Sequence, residues 1–125
     1  MILEIGVDIV EVERIKEVCS KWDKRFEERV FTQGELAYCK RKKQPYQSLA
    51  ARFAAKEALF KALGTGWSLS MCWKDVEITN DSLGKPNIIL SGTTQQIAEK
   101  MGVEKAIVSL SHTKHYAVAN VILVG

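Results

Sequence analysis

The chain has 125 residues, of which 46% are hydrophobic and 26% are charged, and its formal net charge at pH 7 is +3. This composition predicts one folded domain over residues 1–125 and excludes an intrinsically disordered protein. Acidic residues interrupt the apolar N-terminus at Glu4, Asp8 and Glu11, and no long apolar run follows, so we expect neither a signal peptide nor a membrane span.

Hydrophobic periodicity and turn residues predict an α+β domain in which an antiparallel sheet packs against a long central helix and shorter helices. The predicted elements, in chain order, are a buried strand over residues 2–10, an amphipathic helix over 12–22, a helix from Thr32 to Lys43, a helix over 47–63, strands over 74–79 and 86–90, a helix from Thr93 or Thr94 to Gly102, and strands over 105–111 and 116–124.

Local signals support the helices. The amphipathic helix shows apolar residues at helical spacing, and these are Ile15, Val18, Cys19, Trp22 and Phe26. Thr32 and Glu35 have the spacing of a capping box, and Pro45 ends the helix that follows them. Residues 47–63 are rich in alanine and other helix formers, so they predict the longest helix.

The positive charge is concentrated in residues 14–43, which contain ten Lys or Arg and five Asp or Glu. Such a segment favours an acidic partner, and a solubilising surface is the alternative explanation. The chain has three widely spaced cysteines, Cys19, Cys39 and Cys72. Their odd number and spacing favour reduced thiols in a cytoplasmic protein.

Two carboxylates are the first candidates for chemistry. Asp8 ends an apolar strand, where it either caps the next helix or binds a cation. Phe53, Glu57 and Lys61 are spaced one turn apart on the central helix, where Glu57 and Lys61 either form a surface pair or face a ligand. Two carboxylates without His or Cys suit magnesium, and Lys61 is then placed to neutralise phosphate charge.

Both histidines of the chain, His112 and His115, lie in the predicted turn of the last hairpin. Ser111, Thr113 and Lys114 accompany them, so the segment suits an anion better than a transition metal or a Ser-His nucleophile pair. The alternative is that the histidines are ordinary polar turn residues. No Walker or Rossmann loop is present in the sequence.

The sequence resembles the bacterial holo-acyl carrier protein synthases, the short class of 4′-phosphopantetheinyl transferases. Four segments carry the resemblance, and the central one fits the family motif Phe-Ala-x-Lys-Glu-Ala-x-x-Lys-Ala-x-Gly without departure. They are Ile5-Gly6-Val7-Asp8-Ile9-Val10, residues 52–64, Gly84-Lys85-Pro86, and Ser111-His112-x-x-x-Tyr116-Ala117-x-Ala119.

The resemblance implies transfer of phosphopantetheine from coenzyme A to a carrier-protein serine, with release of adenosine 3′,5′-bisphosphate. Asp8 and Glu57 would hold Mg²⁺, and Lys61 and His112 are the other implied catalytic residues. The proton acceptor stays open between Glu57, a metal-bound water and a histidine. The implied coenzyme A contacts are Arg52, Lys61, Gly64, Gly84, Pro86, Ser111, His112 and Thr113.

The resemblance also implies partners. An acidic acyl carrier protein would dock on the basic residues Arg14, Lys21, Lys24 and Arg25. The chain would form a homotrimer with active sites between subunits, in the cytoplasm and in fatty acid biosynthesis, without nucleic acid or membrane. The alternatives from other classes are a polyanion-binding module that uses residues 14–43 and a Ser/His hydrolase.

Overall fold

The computed structural model describes residues 1–21, 24–64 and 71–125, and in these ranges it contains five strands and five α-helices. The strands are β1 (Ile2–Glu11), β2 (Val76–Asn80), β3 (Pro86–Leu90), β4 (Lys105–His112) and β5 (Tyr116–Val124). The helices are α1 (Val12–Lys21), α2 (Lys24–Val30), α3 (Gln33–Lys40), α4 (Pro45–Leu63) and α5 (Gly92–Lys100). The α+β class predicted from the sequence is confirmed.

The strands form two antiparallel sheets rather than the single sheet that the sequence suggested. One sheet has the order β1-β5-β4, and the other pairs β2 with β3. The long helix α4 packs on one face of the three-stranded sheet, where its alanines meet the small residues Ala119 and Val121 of β5 in the main core. Small side chains on both sides allow helix and sheet to approach closely.

The prediction of a buried strand over residues 2–10 is correct for one face of β1 only. Ile5, Val7 and Ile9 point away from α4, and more than half of the maximal surface of each side chain is exposed. Alternate residues of a strand face opposite sides, and within the described chain nothing covers this outer face. The sequence therefore encodes a strand whose two faces are both apolar, of which α4 covers one.

The helices before α4 differ from the prediction in their limits. The sequence predicts one helix over 12–22. The structure describes α1 up to Lys21 and the short helix α2 from Lys24, and the predicted Trp22 lies outside the described residues. Phe26, predicted on the stripe of the first helix, belongs to α2. Two turns of helix are too short to give a periodic signal of their own.

The capping box at the start of α3 is confirmed. The backbone amide of Glu35 donates to Oγ1 of Thr32 at 3.2 Å, and the amide of Thr32 donates to Oε1 of Glu35 at 2.9 Å. The helix ends at Lys40, three residues before the predicted limit. Pro45 then occupies the first turn of α4, where its missing N–H has no intrahelical partner to lose.

The second half of the chain contains the predicted elements in the predicted order, but several of them begin or end at other residues than predicted. Residues 73–75 form a short 3₁₀ helix, so β2 begins two residues later than predicted. Helix α5 begins at Gly92, before the predicted Thr93 or Thr94, and ends at Lys100. The Asp75 carboxylate accepts hydrogen bonds from the backbone amide and hydroxyl of Thr94, which links the 3₁₀ helix to the first turn of α5.

All three cysteines are free thiols, of which Cys19 and Cys39 are buried. Burial raises the pKa of both buried thiols to about 11, which makes them unreactive at neutral pH. Among the described residues, no helix combines the length and apolar content needed to cross a bilayer.

Candidate active site

A cavity of about 560 Å³ opens between β1, α1, α2 and α4, and we call it the carboxylate cavity. Asp8, Glu57 and Lys61 line one part of it. The remaining wall is largely apolar and includes Ile9, Val10, Ile15, Val18, Phe26 and Phe53. The structure thus brings together the two carboxylates and the lysine that the sequence singled out, in a space large enough for part of a ligand.

A glycine brings Asp8 close to the central helix. A Cβ atom built on Gly6 would lie 2.0 Å from the carbonyl oxygen of Ala58, so β1 passes α4 at a distance that only glycine permits. Asp8 is two residues further along the same face of β1, so its carboxylate is also directed towards α4. The close crossing at Gly6 therefore places the carboxylate of Asp8 beside α4.

Lys61 holds the Asp8 carboxylate directly. Its Nζ atom donates to Oδ1 of Asp8 at 2.8 Å and to the carbonyl oxygen of Val7 at 3.2 Å. The hydrogen bond to Asp8 raises the pKa of Lys61, so the ammonium is charged at neutral pH. Lys61 therefore presents a fixed cation at the opening of the carboxylate cavity.

Glu57 is partly buried beside Asp8. Its pKa is raised above the ordinary value, first because burial penalises the charged carboxylate and second because Asp8 repels it, while Lys61 opposes the shift. Two carboxylates that repel each other in a partly enclosed site are stabilised when a cation binds between them.

The donor set fits a hard cation. Mg²⁺ commonly takes one or two protein carboxylates and completes its octahedral shell with water and phosphate oxygens. Asp8 and Glu57 supply that number, and an open cavity beside them leaves room for a phosphate group. Among the described residues, no group of three or more His, Cys, Asp and Glu side chains is placed to hold a metal.

A second cavity, of about 400 Å³, lies at the start of α4, and we call it the Arg52 cavity. Arg52, Gly84, Pro86 and His112, four of the eight predicted coenzyme A contacts, line it together. The Arg52 guanidinium lies 4.5 Å from the centroid of the Tyr38 ring, which also lines this cavity. The sequence signals at three distant places therefore converge on one space.

Arg52 is almost fully buried and only partly satisfied. Its Nη2 atom donates to Oδ1 of Asn80 at 2.5 Å, and Nδ2 of Asn80 donates in turn to the carbonyl oxygen of Gly84 at 3.0 Å. Within the described part of the chain, Nε of Arg52 is buried without a hydrogen-bond acceptor. A guanidinium with a spare donor at the wall of a cavity suits a phosphate or carboxylate ligand.

The two cavities lie on opposite sides of α4. Successive residues of a helix are rotated by about 100°, so Glu57 and Arg52 point in directions about 140° apart. The lining residues of the two cavities do not overlap. Asp8 and Glu57 are thus separated within one chain from His112 and Gly84.

The remaining predicted coenzyme A contacts lie elsewhere. Gly64 caps the end of α4 with φ of +73°, and it lines neither cavity. Oγ1 of Thr113 accepts from the backbone amides of His115 and Tyr116, which shapes the β4–β5 turn. Ser111 is exposed in β4, on the face of the sheet that points away from α4.

The predicted docking residues are divided between two helices. Arg14 of α1 lines the carboxylate cavity, and Arg25 of α2 borders a neighbouring groove whose floor is Val18 and Phe26. Val18 and Phe26 line both spaces, so the groove leads directly into the carboxylate cavity. Lys21 is exposed at the end of α1.

Lys24 faces a different region, a separate cavity that it shares with Glu27 and Glu28. Sequence reasoning missed Arg29, which borders the same groove one helical turn after Arg25, and Asn80, which accepts a hydrogen bond from Arg52. A four-residue spacing from Arg25 to Arg29 was available as a signal for the first. No local pattern connects Asn80 with Arg52, which is 28 residues away.

Comparison with known proteins gives a consistent result. The family model described as the 4′-phosphopantetheinyl transferase superfamily matches residues 4–121. A protein of Solibacter usitatus named holo-[acyl-carrier-protein] synthase is 44% identical over 123 residues, which are 98% of each chain. The holo-[acyl-carrier-protein] synthase of Neisseria meningitidis has a similar crystal structure, with a TM-score of 0.90, 34% identity and full coverage of both chains.

A second solved structure contains a ligand. It is the holo-[acyl-carrier-protein] synthase of Helicobacter pylori in complex with coenzyme A. Its TM-score is 0.84 at 31% identity, and the match covers 96% of this chain and 99% of that one.

Proposed function

The chain belongs to the 4′-phosphopantetheinyl transferase superfamily, and within it we propose that the protein is a magnesium-dependent holo-acyl carrier protein synthase. It transfers 4′-phosphopantetheine from coenzyme A to a serine hydroxyl of an apo-acyl carrier protein. The serine oxygen forms a bond to the phosphorus that carries pantetheine. The bond from this phosphorus to the oxygen that bridges the two phosphates breaks, and adenosine 3′,5′-bisphosphate leaves. The observation that carries the proposal is the meeting of Asp8, Glu57 and Lys61 in one open cavity.

Asp8 and Glu57 would hold Mg²⁺, since their paired carboxylates repel each other until a cation lies between them. When bound, the ion would polarise the pyrophosphate of coenzyme A and neutralise charge on the leaving group. Lys61 adds a second cation, already fixed by Asp8, to stabilise charge that develops on the transferred phosphate. Glu57 lines the same cavity and would accept the serine proton.

The Arg52 cavity would bind the nucleotide end of coenzyme A. Arg52 has a buried spare donor for a phosphate, and His112 lines the same space. This position takes His112 away from Asp8 and Glu57 of its own chain. We therefore assign His112 to coenzyme A binding rather than to proton transfer within one chain.

A homotrimer with shared active sites would unite the two cavities. The carboxylate cavity and the Arg52 cavity lie on opposite sides of α4. A ligand that contacts both kinds of cavity therefore needs the carboxylate cavity of one chain and the Arg52 cavity of a neighbouring chain. The exposed apolar face of β1 supports such an assembly, because an apolar sheet face of this extent is typical of a subunit interface. Tyr116 and Ile107 extend the exposed apolar surface onto β5 and β4.

An acidic acyl carrier protein would dock at the groove between α1 and α2. Arg25 and Arg29 would pair with its carboxylates, and Val18 and Phe26 would receive an apolar side chain. Because the groove opens into the carboxylate cavity, a serine beside the docked surface reaches Glu57 and Lys61. We infer a role in fatty acid biosynthesis, and the free buried thiols favour a cytoplasmic location.

The test is the intact mass of a purified apo-acyl carrier protein after incubation with the protein, coenzyme A and Mg²⁺. We expect a gain of one phosphopantetheine that is absent with EDTA and with a Glu57→Ala variant. Transfer that survives EDTA would refute the magnesium requirement. No gain with any of several carrier proteins would refute the transferase, and binding of residues 14–43 to a polyanion would then be measured.

A further inference from the structure

A buried ion pair joins α4 to α3. Nζ of Lys56 lies 2.7 Å from Oε1 of Glu35, and both side chains are fully shielded from solvent. Lys56 is adjacent to Glu57 in the chain, yet it points about 100° away from it, into the core. The phosphopantetheine transfer proposed above makes no use of Lys56.

Lys56 has three further hydrogen-bond acceptors besides Glu35. Its ammonium also donates to the carbonyl oxygens of Val30 at 2.8 Å, of Val76 at 2.7 Å and of Trp73 at 3.3 Å. These acceptors belong to the end of α2, the start of β2 and the 3₁₀ helix. One side chain therefore connects α4 to α2, α3, β2 and the 3₁₀ helix.

Glu35 is fixed as firmly. Its Oε1 atom accepts from the backbone amide of Thr32 at 2.9 Å, and its Oε2 atom accepts from the amide of Ile78 at 2.9 Å. A buried carboxylate with these directional partners has one position available to it. Burial lowers the pKa of Lys56, and Glu35 opposes that shift, so the pair stabilises the charged form of the lysine.

The buried side chains of α4 extend around roughly three quarters of the helix circumference. The fully buried Ala54 and Ala58 lie one turn apart on the side that meets the sheet, whereas the larger Leu59 and Phe60 point in other directions. Apolar packing therefore restricts the rotation of α4, but neighbouring apolar side chains can adjust to a change. A buried charge, in contrast, is satisfied in one orientation only.

We propose that the Lys56–Glu35 ion pair is a positioning device that fixes the rotation of α4 and thereby places Glu57 and Lys61 at the carboxylate cavity. Rotation by one residue, about 100°, would remove both side chains from Asp8. The catalytic consequence rests on the proposed function, whereas the structural statement does not. Lys56 acts through its neighbours and is a positioning residue.

Three variants test the proposal: Lys56→Met, Glu35→Gln and the two combined. Each single variant leaves a buried charge unpaired, so we expect Tm to fall by about 10–20 °C. The double variant removes both charges and should recover part of this loss. Leu123→Ala is the matched control, because it empties space in the buried part of β5 without touching the pair.

The decisive measurement is an NMR spectrum of ¹³C-labelled alanine methyl groups. We expect one signal each for Ala54, Ala55 and Ala58 in the original protein and in Leu123→Ala. In the double variant we expect several signals or strong broadening, and a kcat for transfer lowered by about 10²-fold at a temperature where the variant is folded. Should the double variant not fold, Glu35→Gln, which keeps one acceptor oxygen for the backbone amide of Thr32 or Ile78, takes its place.

A single set of methyl signals in the double variant overturns the inference, whatever its kcat. Loss of activity in Leu123→Ala equal to that of the double variant would overturn the link to catalysis. If the protein without substitutions transfers no phosphopantetheine, the proposed function is refuted instead. The methyl spectra then still test whether the Lys56–Glu35 ion pair fixes the rotation of α4.

Discussion

Nζ of Lys61 lies 2.8 Å from Oδ1 of Asp8, although 53 residues separate the two in the chain. This ion pair fixes the cation at the opening of the carboxylate cavity. We expect Lys61→Gln to lower kcat for phosphopantetheine transfer by about 10²–10³-fold, since a preorganised positive charge is lost. The Lys61 side chain is more than half exposed, so Tm should change little.

Transfer rates by intact mass and thermal unfolding check this expectation together. Lys100→Gln, at the end of α5 and outside the carboxylate cavity, is the control and should keep the original rate. A Lys61→Gln variant with an unchanged kcat would remove Lys61 from the chemistry.

The ionised carboxylate of Glu57 should lower the free energy of unfolding at neutral pH. Its folded pKa is raised above the unfolded value, so the folded state binds the proton more tightly than the unfolded state. The free energy of unfolding therefore falls as pH rises through the interval between the two values and stays lower above it. We expect Glu57→Gln without metal to raise Tm by up to about 3 °C at pH 7 and to abolish transfer.

The gain in Tm should disappear near pH 4, where Glu57 is protonated in the original protein as well. Scanning fluorimetry at both pH values in EDTA measures this difference. A gain of equal size at pH 4 and pH 7 would show that the carboxylate charge is not its cause.

Position 6 should not tolerate a side chain even as small as the methyl group of alanine. A Cβ atom there would lie 2.0 Å from the backbone oxygen of Ala58, so β1 has to move away from α4. We expect Gly6→Ala to lower Tm by about 5–15 °C and to reduce transfer, because Asp8 moves with the strand. Gly34→Ala is the control, since its Cβ would meet side-chain atoms alone, Oε2 of Glu77 at 3.3 Å and Oγ1 of Thr32 at 3.9 Å. Equal Tm values for the two variants would contradict the close crossing.

The exposed face of β1 should hold the assembly together. Val7 points outward opposite Asn120, and Val7→Lys would place a charge within the proposed interface. We expect a smaller oligomer by light scattering and a loss of transfer. Ile89→Lys, which is equally exposed but lies in the two-stranded sheet, should leave both unchanged. A Val7→Lys protein that keeps the original mass in solution would place the interface elsewhere.

Sequence signals located the elements well where a pattern spans several turns. The alanine-rich run predicted α4. Thr32 and Glu35 predicted the start of α3, because a capping box is a purely local interaction. Helix α2 was missed since its seven residues carry too little periodicity. The exposed side of β1 was also missed, because a strand that is apolar on both faces looks the same whether α4 or another subunit covers it.

The candidate site, too, could be predicted where the signal is local but not where it depends on the tertiary structure. Glu57 and Lys61 share a helical face, so their proximity could be predicted from spacing, and Asp8 was a candidate because a carboxylate at the end of an apolar strand needs a partner. The separation of His112 from Asp8 could not be predicted, because it depends on the strand order β1-β5-β4, which places β5 between the strands of the two residues. Lys56 stands in the same motif as Glu57, and no sequence pattern distinguishes this buried lysine from Lys61, which lines the carboxylate cavity.

The placement of the two cavities on opposite sides of α4 allows two inactive proteins to repair each other. A Glu57→Ala chain keeps an intact Arg52 cavity, and an Arg52→Ala chain keeps an intact carboxylate cavity. In a closed ring of three with sites between neighbours, every mixed ring has one junction at which two intact halves meet. Equal mixing through dissociation and reassembly should therefore recover about one quarter of the original activity, whereas each variant alone recovers none.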